Sequence, residues 1–224
     1  MNLIDRVRQI EERLFADQLD PHDATRMKND GKYSWLYRPS HHIESGLIVE
    51  GDIVSLTRFA NRVLSVGAHP LYLERVLLEL GVPSSNIVAA DHNIAIIDID
   101  CAAEKIIFDM TQAWPQIGEF DLIIFPESLC IAIRDTIKKE GTAATDNRFP
   151  TDAREAELLA HVLGEALMRL KPGGEIRANG PMSHPNVVKS AGGHLNAKGL
   201  KHHIGYDRFF LTARVSGTSS EIAL

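Results

Sequence analysis

Apolar residues recur with helical spacing at the start of the chain. They stand every three or four positions, with Asp, Glu and Arg between them, at Leu3, Ile4, Val7, Ile10, Leu14 and Phe15. One apolar stripe on an otherwise charged segment is typical of an amphipathic helix, so we expect a helix over residues 2–18. The following residues, 19–51, are rich in turn formers and are expected to be irregular.

From residue 54 onward the pattern changes to short apolar runs that alternate with helical segments. Helices are predicted at 71–80, where Gly81 and Pro83 form a stop signal, and at 152–170. Strands are predicted at 62–67, 86–91, 105–109, 120–125, 175–179, 200–204 and 209–215. Strands that alternate with helices in this way form a doubly wound, mostly parallel sheet, so we expect an α/β fold.

Four residues fall at the carboxyl ends of predicted strands, which is where ligands bind in such sheets. They are Gly67, Asp91, Asp109 and Phe125. Gly67 permits a tight turn that lets the backbone approach a ligand. Asp91 can accept both hydroxyls of a ribose, and Asp109 can accept an adenine amino group. Helix capping is the structural alternative for either acid, but their order and spacing favour an adenosine-type ligand.

Five segments carry a resemblance to a known family. Val63–Leu77 resembles the first motif of class I, Rossmann-like S-adenosylmethionine-dependent methyltransferases, and Ile87–Asp91 is similar to their ribose-binding strand. Phe108–Pro115 and Glu119–Phe125 resemble their adenine-contacting segment and fourth strand. Leu167–Ile176, with its Lys-Pro-Gly-Gly turn, resembles the helix, turn and strand that follow, and it is the most specific of the five.

The resemblance covers residues 61–215 and implies a seven-stranded sheet whose last strand is antiparallel. It implies an enzyme that uses S-adenosylmethionine as cofactor and transfers its methyl group to a small-molecule acceptor. The domain organisation that follows is an N-terminal helix with a lid-like extension (1–52), a Rossmann-like domain (53–215) and a tail (216–224). The cofactor-binding residues that it implies are Gly67, Ala68, His69, Asp91, His92, Asp109, Met110 and Phe125.

The glycine motif of this chain is degenerate. Family members usually have an acid where this chain has Ser65, and Gly-x-Gly-x-Gly where it has the turn from Gly67 to Leu71. His69 would place an imidazole close to where the methionine part of the cofactor normally lies. A turn with another path, altered cofactor binding and lost cofactor binding are all compatible with this change, so a non-catalytic binding or assembly module is one alternative function.

A second alternative comes from the same turn. Its Gly-x-x-Pro-Leu-x-Leu run is also similar to nicotianamine synthase-like enzymes, which use this fold and cofactor to transfer an aminocarboxypropyl group. A nicotinamide-dependent dehydrogenase is disfavoured, because the first turn lacks Gly-x-Gly-x-x-Gly.

Glu127 is the candidate catalytic residue. Methyl transfer depends mainly on alignment, and a general base is needed only when the acceptor must lose a proton. The run Phe125-Pro-Glu127-Ser128 follows the fourth strand, where the family usually lines the acceptor pocket. Glu127 is therefore predicted to act as a base or to bind an acceptor amine; the structural alternative is an exposed carboxylate at the start of the next helix.

Two predictions are compatible with the aromatic segment Tyr33–Tyr37 and the following Arg38 and His41. The segment is expected either to close over the sheet edge as part of an acceptor pocket or to form a small separate core beneath a long loop. The insertion at 140–150 is predicted to form a loop beside the same edge.

The composition of the chain limits the classes of binding partner that we expect. The net charge of −6 and the scattered Lys and Arg residues disfavour a nucleic-acid substrate, whereas a homodimer is compatible with the sequence. The N-terminus has no signal-peptide core and no apolar run approaches the ~20 residues of a membrane span, so we expect a cytoplasmic protein without membrane attachment. The ten histidines show no His-x-His or His-Glu-x-x-His spacing, and no metal site is predicted.

Overall fold

The computed structural model describes residues 1–15, 38–58, 60–140, 152–180, 185–207 and 210–215. The predictions for the aromatic segment Tyr33–Tyr37, for the loop after residue 140 and for the tail at 216–224 lie outside the described residues. The chain divides into two compact units, residues 1–107 and 108–224.

The first unit combines helices with three parallel strands. Its helices are α1 (Leu3–Phe15), α2 (Pro39–Glu44), α3 (Glu50–Leu56) and α4 (Tyr72–Glu79). Its strands are β1 (Val63–Val66), β2 (Ile87–Asp91) and β3 (Glu104–Ile107). β2 lies between the other two and pairs in parallel with both, with Val63 beside Ile87 and Val88 beside Glu104. Because β1 and β2 are buried along their whole length, their continuous apolar sequences are those of interior parallel strands.

The predicted N-terminal helix is confirmed, with boundaries at Leu3 and Phe15. The expectation of irregular structure over 19–51 is wrong for α2, which has only six residues. A helix this short shows no full apolar period, and its start is marked in the sequence only by Pro39. α3 begins at Glu50 and crosses the predicted domain boundary between residues 52 and 53.

The second unit contains four strands and three helices. Its strands are β4 (Phe120–Phe125), β5 (Leu170–Asn179), β6 (His202–Tyr206) and β7 (Phe210–Val215). Its helices are α5 (Leu129–Lys139), α6 (Asp152–Leu167) and α7 (Pro185–Ala197). β4 and β5 are parallel, whereas β7 is antiparallel to both β5 and β6, so the predicted antiparallel last strand is confirmed.

β5 begins five residues earlier than predicted, because its pairing with β4 continues through the Lys-Pro-Gly-Gly turn and shifts register between Phe120 and Leu122. A Cβ atom on Gly174 would lie 3.0 Å from the carbonyl oxygens of Asp121 and Lys171. Gly174 is therefore required for the close approach of two backbones at this irregularity.

The seven strands have the order β3-β2-β1-β4-β5-β7-β6 in one sheet. This order confirms the predicted α/β fold, with a doubly wound, mostly parallel sheet and an N-terminal helical extension. In each unit, strand ends are followed by the turns that carry the predicted site residues.

Two buried carboxylates of the first unit have opposite environments. The Glu11 carboxylate accepts hydrogen bonds from the Ser40 backbone N–H at 2.5 Å, the Ser40 hydroxyl at 3.0 Å and Arg38 Nη2 at 2.9 Å. It thereby satisfies the first turn of α2, which has no side-chain cap of its own. Glu11 connects α1 to α2 by a fully paired buried charge.

Glu74 in the first turn of α4 is equally buried, but neither carboxylate oxygen has a hydrogen-bond partner. Burial raises the pKa of Glu74 to about 7; the nearby Ser65 hydroxyl and the Glu74 backbone oppose the shift, and the charge of Asp91 adds to it. Because water no longer solvates the carboxylate, its protonated form is favoured.

We expect Glu11→Ala to lower the free energy of unfolding by about 3 kcal/mol, because it leaves Arg38 and the Ser40 amide without their acceptor. Glu11→Gln, which keeps one acceptor oxygen, should lose less. Urea unfolding measures both, and Glu12→Ala at an exposed position of the same helix is the control. Equal effects of the Glu11 and Glu12 variants would contradict the assignment.

We expect Glu74 to make folding stability depend on pH. Its pKa is 4.5 in an ordinary environment and about 7 in the fold, so between these values the unfolded chain binds fewer protons than the folded chain. Stability therefore falls as the pH rises through this window and stays lower above it, by about 3 kcal/mol. Glu74→Gln should abolish this part of the slope, as measured by urea unfolding between about pH 5 and 8. Glu79→Gln, an exposed change on the same helix, should retain the slope.

Candidate functional site

The turn after β1 is built from residues in left-handed conformations. Gly67 has φ +79° and Leu71 has φ +67°, and the peptide bond between His69 and Pro70 is cis. The N–H groups of Gly67 and Ala68 donate to the Ala90 carbonyl at 2.8 and 3.1 Å. Gly67 is thus needed for its conformation, and the turn is held against the end of β2 by backbone hydrogen bonds.

Two non-glycine side chains of this turn pack into the hydrophobic core. Ala68 and Leu71 are buried in a cluster with Ala89 and Ile96. Leu71, at one of the positions where the family motif has glycine, and the neighbouring Ala68 therefore help to fix the path of the turn through packing. His69, which lies between Ala68 and Leu71 in the chain, is half-buried.

Asp91, which is predicted to bind a ribose, also accepts a hydrogen bond from the backbone of the same turn. Its carboxylate is 6% exposed; Oδ2 accepts the His69 backbone N–H at 3.0 Å, and Oδ1 accepts that of Asn93 at 2.8 Å. The exposed His92 ring places Nδ1 3.2 Å from Oδ1. An ionised carboxylate has about four acceptor positions, so Oδ2 retains one for a hydroxyl. The structure therefore brings Gly67, His69 and Asp91 together, and Asp91 has both a structural role and capacity for a ligand.

Glu74 and Ser65 lie close to this group. The Glu74 side chain is 1% exposed beside Ser65 on β1, and the charge of Asp91 contributes to its raised pKa. The Ser65 hydroxyl is also buried without a hydrogen-bond partner. The sequence analysis did not single out Glu74; the available signal was a charged residue among the apolar positions of α4.

In the second unit, Asp109 lies two residues beyond the end of β3 rather than at its last position. It is exposed, and its Oδ1 accepts the backbone N–H and the hydroxyl of Thr111 at 2.9 and 2.8 Å. Met110 is buried, and its carbonyl accepts Trp114 Nε1 at 2.9 Å. Asp109 therefore acts as the cap of a local turn, and the second oxygen of its carboxylate is available for an exposed partner.

Phe125 at the end of β4 is fully buried and belongs to an aromatic cluster. The Trp114 ring lies 6.3 Å from the ring of Phe125 and 5.0 Å from that of Phe108, with the Arg169 guanidinium 5.4 Å from its centre. This cluster fixes the segment that contains Asp109 and Met110. Trp114 lies within the segment Phe108–Pro115 that carries the family resemblance, but the sequence alone assigned it no role.

Glu127 is held in an uncommon backbone conformation, with φ +54°. Its backbone N–H donates to Oδ1 of the buried Asn179 at 3.0 Å. Glu127 is only 5% exposed, and a Cβ atom on Gly180 would lie 2.0 Å from its Oε2. The carboxylate therefore occupies the space that the missing side chain of Gly180 leaves. The structural alternative, an exposed carboxylate at a helix start, does not hold, because Glu127 is buried and α5 begins at Leu129.

The part of the chain that the structure describes contains no group of three or more His, Cys, Asp or Glu side chains that could hold a metal ion. Among the same residues, no helix has both the length and the apolar content to cross a membrane.

Comparisons with known proteins detect similarity in structure only. No protein-family model matches the sequence, and no curated protein matches it. Among solved structures, the MycE methyltransferase of the mycinamycin biosynthetic pathway, in complex with Mg and SAH, has a TM-score of 0.52 at 12% identity. The match covers 98% of this chain and 56% of MycE.

Two further methyltransferase structures are similar over a smaller part. CalS10 from Micromonospora echinaspora, an amino pentose methyltransferase bound to SAM, has a TM-score of 0.49 at 10% identity, covering 73% of this chain and 86% of its own. CcbJ from Streptomyces caelestis has a TM-score of 0.47 at 11% identity, covering 74% and 87%. The strand order together with the match to MycE shows that this chain has the fold of class I methyltransferases.

Proposed function

We propose that this protein is an S-adenosylmethionine-dependent methyltransferase with a small-molecule acceptor. The observation that carries the proposal is the Asp91 carboxylate, buried at the end of β2 and joined to the turn after β1 by the His69 amide. The proposal is supported by the fold, which MycE shares; MycE was solved in complex with SAH.

The turn and Asp91 fit an adenosine-type ligand. Gly67 exposes backbone at a left-handed position without a side chain, and Asp91 Oδ2 retains an acceptor position for a ribose hydroxyl. Ala68 faces the core, so its contribution to a ligand is limited to its backbone. The half-buried His69 and the exposed His92 lie next to Asp91 and would limit the space beside the ligand.

In the second unit, Asp109, Met110 and Phe125 stay candidate cofactor residues on the strength of the resemblance. Phe125 is enclosed in its aromatic cluster, so its side chain would act by holding the end of β4 in place. Asp109 keeps Oδ2 for an amino group, since Thr111 occupies Oδ1.

Bound S-adenosylmethionine supplies an electrophilic methyl group on a sulfonium. The chain's own task is to align the acceptor and, where needed, to accept its proton. Glu127 is the residue that we propose for this task, because its backbone is held at φ +54° by the hydrogen bond to Asn179 while its carboxylate is buried against Gly180. A buried carboxylate in this position can take a proton from an amine or a hydroxyl.

Two other functions are compatible with the same observations. An aminocarboxypropyl transferase would bind the same cofactor but release 5′-methylthioadenosine instead of S-adenosylhomocysteine, so product analysis separates the two transfer reactions. A non-catalytic binding module is favoured by His69 and by the buried Leu71, which stand where the family motif has glycines. It would bind neither cofactor nor product.

We expect calorimetric titration to detect S-adenosylmethionine binding to the intact protein, and Asp91→Ala to weaken it at least about a hundredfold, because a buried acceptor for the ribose is removed. Asp91→Asn, which keeps one oxygen, should have an intermediate effect, and the exposed Asp98→Ala should have none. Circular dichroism establishes that the variants are folded. Unchanged binding in folded Asp91→Ala would contradict the assignment.

We expect Gly180→Ala to destabilise the protein by about 3 kcal/mol, because its new methyl group would overlap the Glu127 carboxylate. Gly173→Ala is the matched control: Gly173 also has positive φ, at +83°, but open space around it. The excess loss in Gly180→Ala, measured by urea unfolding, should disappear in a Glu127→Ala background. Equal losses at both glycines, or an excess that persists without Glu127, would show that the carboxylate is not held there.

A further inference from the structure

The chain between β3 and β4 forms neither a helix nor a strand, and it holds Asp109 within the segment Phe108–Pro115. Backbone groups of such a segment need hydrogen-bond partners outside a helix or a sheet. Side chains of α6 and of the turn that follows it supply several of these partners. The residues joined in this way are 49 to 55 positions apart in the sequence.

Arg169 and Glu165 hold Trp114 at its backbone and at its ring. Arg169 Nη2 donates to the carbonyls of Trp114 and Pro115 at 2.9 and 3.1 Å, and Glu165 Oε2 accepts the Trp114 amide at 3.2 Å. Arg169 Nη1 donates to the Glu165 carboxylate at 2.9 Å, and the guanidinium lies over the Trp114 ring. The side chains of Arg169 and Glu165 are only 12% and 16% exposed, so this ion pair is an internal support for an irregular backbone.

His161 of α6 contacts the turn that begins at Asp109. The Gln112 amide donates to the Asp109 carbonyl at 3.0 Å, and the Gln112 carbonyl lies 2.9 Å from His161 Nε2. Because a carbonyl oxygen can only accept, the imidazole donates from Nε2. The amide and hydroxyl of Thr111 occupy Asp109 Oδ1. The turn therefore fixes the direction of Asp109 Oδ2, and α6 holds the turn through a single residue, Gln112.

We propose that His161 and Arg169 are positioning residues that hold the Asp109 turn in place, so that Asp109 Oδ2 selects adenine over a purine without the 6-amino group. This inference rests on the proposed function. An acceptor distinguishes a ligand that donates from one that does not only if its own position is fixed by its surroundings. His161 and Arg169 act through hydrogen bonds to the backbone of the segment and do not need to touch the cofactor.

The test compares the dissociation constants of two probes by calorimetry. One is S-adenosylhomocysteine, and the other is its 6-deamino analogue, which has a hydrogen atom in place of the adenine amino group. Wild-type protein should bind S-adenosylhomocysteine at least about tenfold more tightly, because only this probe donates to the Asp109 carboxylate. His161→Leu and Arg169→Leu should each lower this preference at least about threefold, by weakening the binding of S-adenosylhomocysteine more than that of the analogue.

Three further variants separate positioning from a general effect on the fold. His161→Gln keeps an amide donor near the place of Nε2 and should retain the preference. Arg154→Leu removes an arginine of the same helix whose partners are acids at the surface, and it should change nothing. In an Asp109→Ala background, His161→Leu should no longer affect the preference, because the acceptor is absent. Circular dichroism establishes folding, and His161→Leu decides the test if Arg169→Leu does not fold.

The outcomes distinguish this inference from the proposed function. If the His161 and Arg169 variants weaken both probes equally, or weaken neither, the two residues have only a structural role. If wild-type protein binds the two probes with equal affinity, Asp109 does not select the amino group. Either result overturns the inference and leaves the cofactor assignment standing. If wild-type protein binds neither S-adenosylmethionine nor S-adenosylhomocysteine, the proposed function fails and the inference fails with it.

Discussion

The Asp91 carboxylate and the turn after β1 hold each other in place, and the candidate site of the first unit depends on this contact. One oxygen accepts the His69 amide, the other accepts the Asn93 amide, and Ala68 and Leu71 anchor the rest of the turn in the core. The turn, whose one glycine is Gly67, keeps a defined path through hydrogen bonds and apolar packing. The acid is therefore structural even without a ligand.

Three buried glutamates show how the surroundings decide what a carboxylate does. Glu11 is fully paired and connects two helices. Glu74 has no partner, and its pKa is raised to about 7 by burial. Glu127 is fixed by its own strained backbone and by the space above Gly180. Pairing satisfies the hydrogen-bonding groups of a buried charge, whereas a missing partner or a left-handed backbone at a non-glycine residue costs free energy.

Much of the fold could be predicted from the sequence because parallel interior strands are continuous apolar runs. β4 was placed at its observed boundaries, and β1 and β2 to within one or two residues. Short elements could not be placed in this way: α2 has six residues and depends on Glu11, which is 29 positions away from Ser40. The extra length of β5 likewise depends on pairing with β4.

The sequence by itself determined the order of the strands, the helices α1, α4 and α6 and the resemblance to class I methyltransferases, because periodicity and turn residues are local properties. Only the tertiary structure decided what those residues do. It brought Asp91 to the His69 amide, enclosed Phe125 in an aromatic cluster and buried Glu74 beside Ser65. Burial and the presence of a partner depend on residues distant in the chain, and they set the pKa and the hydrogen-bond capacity of each group.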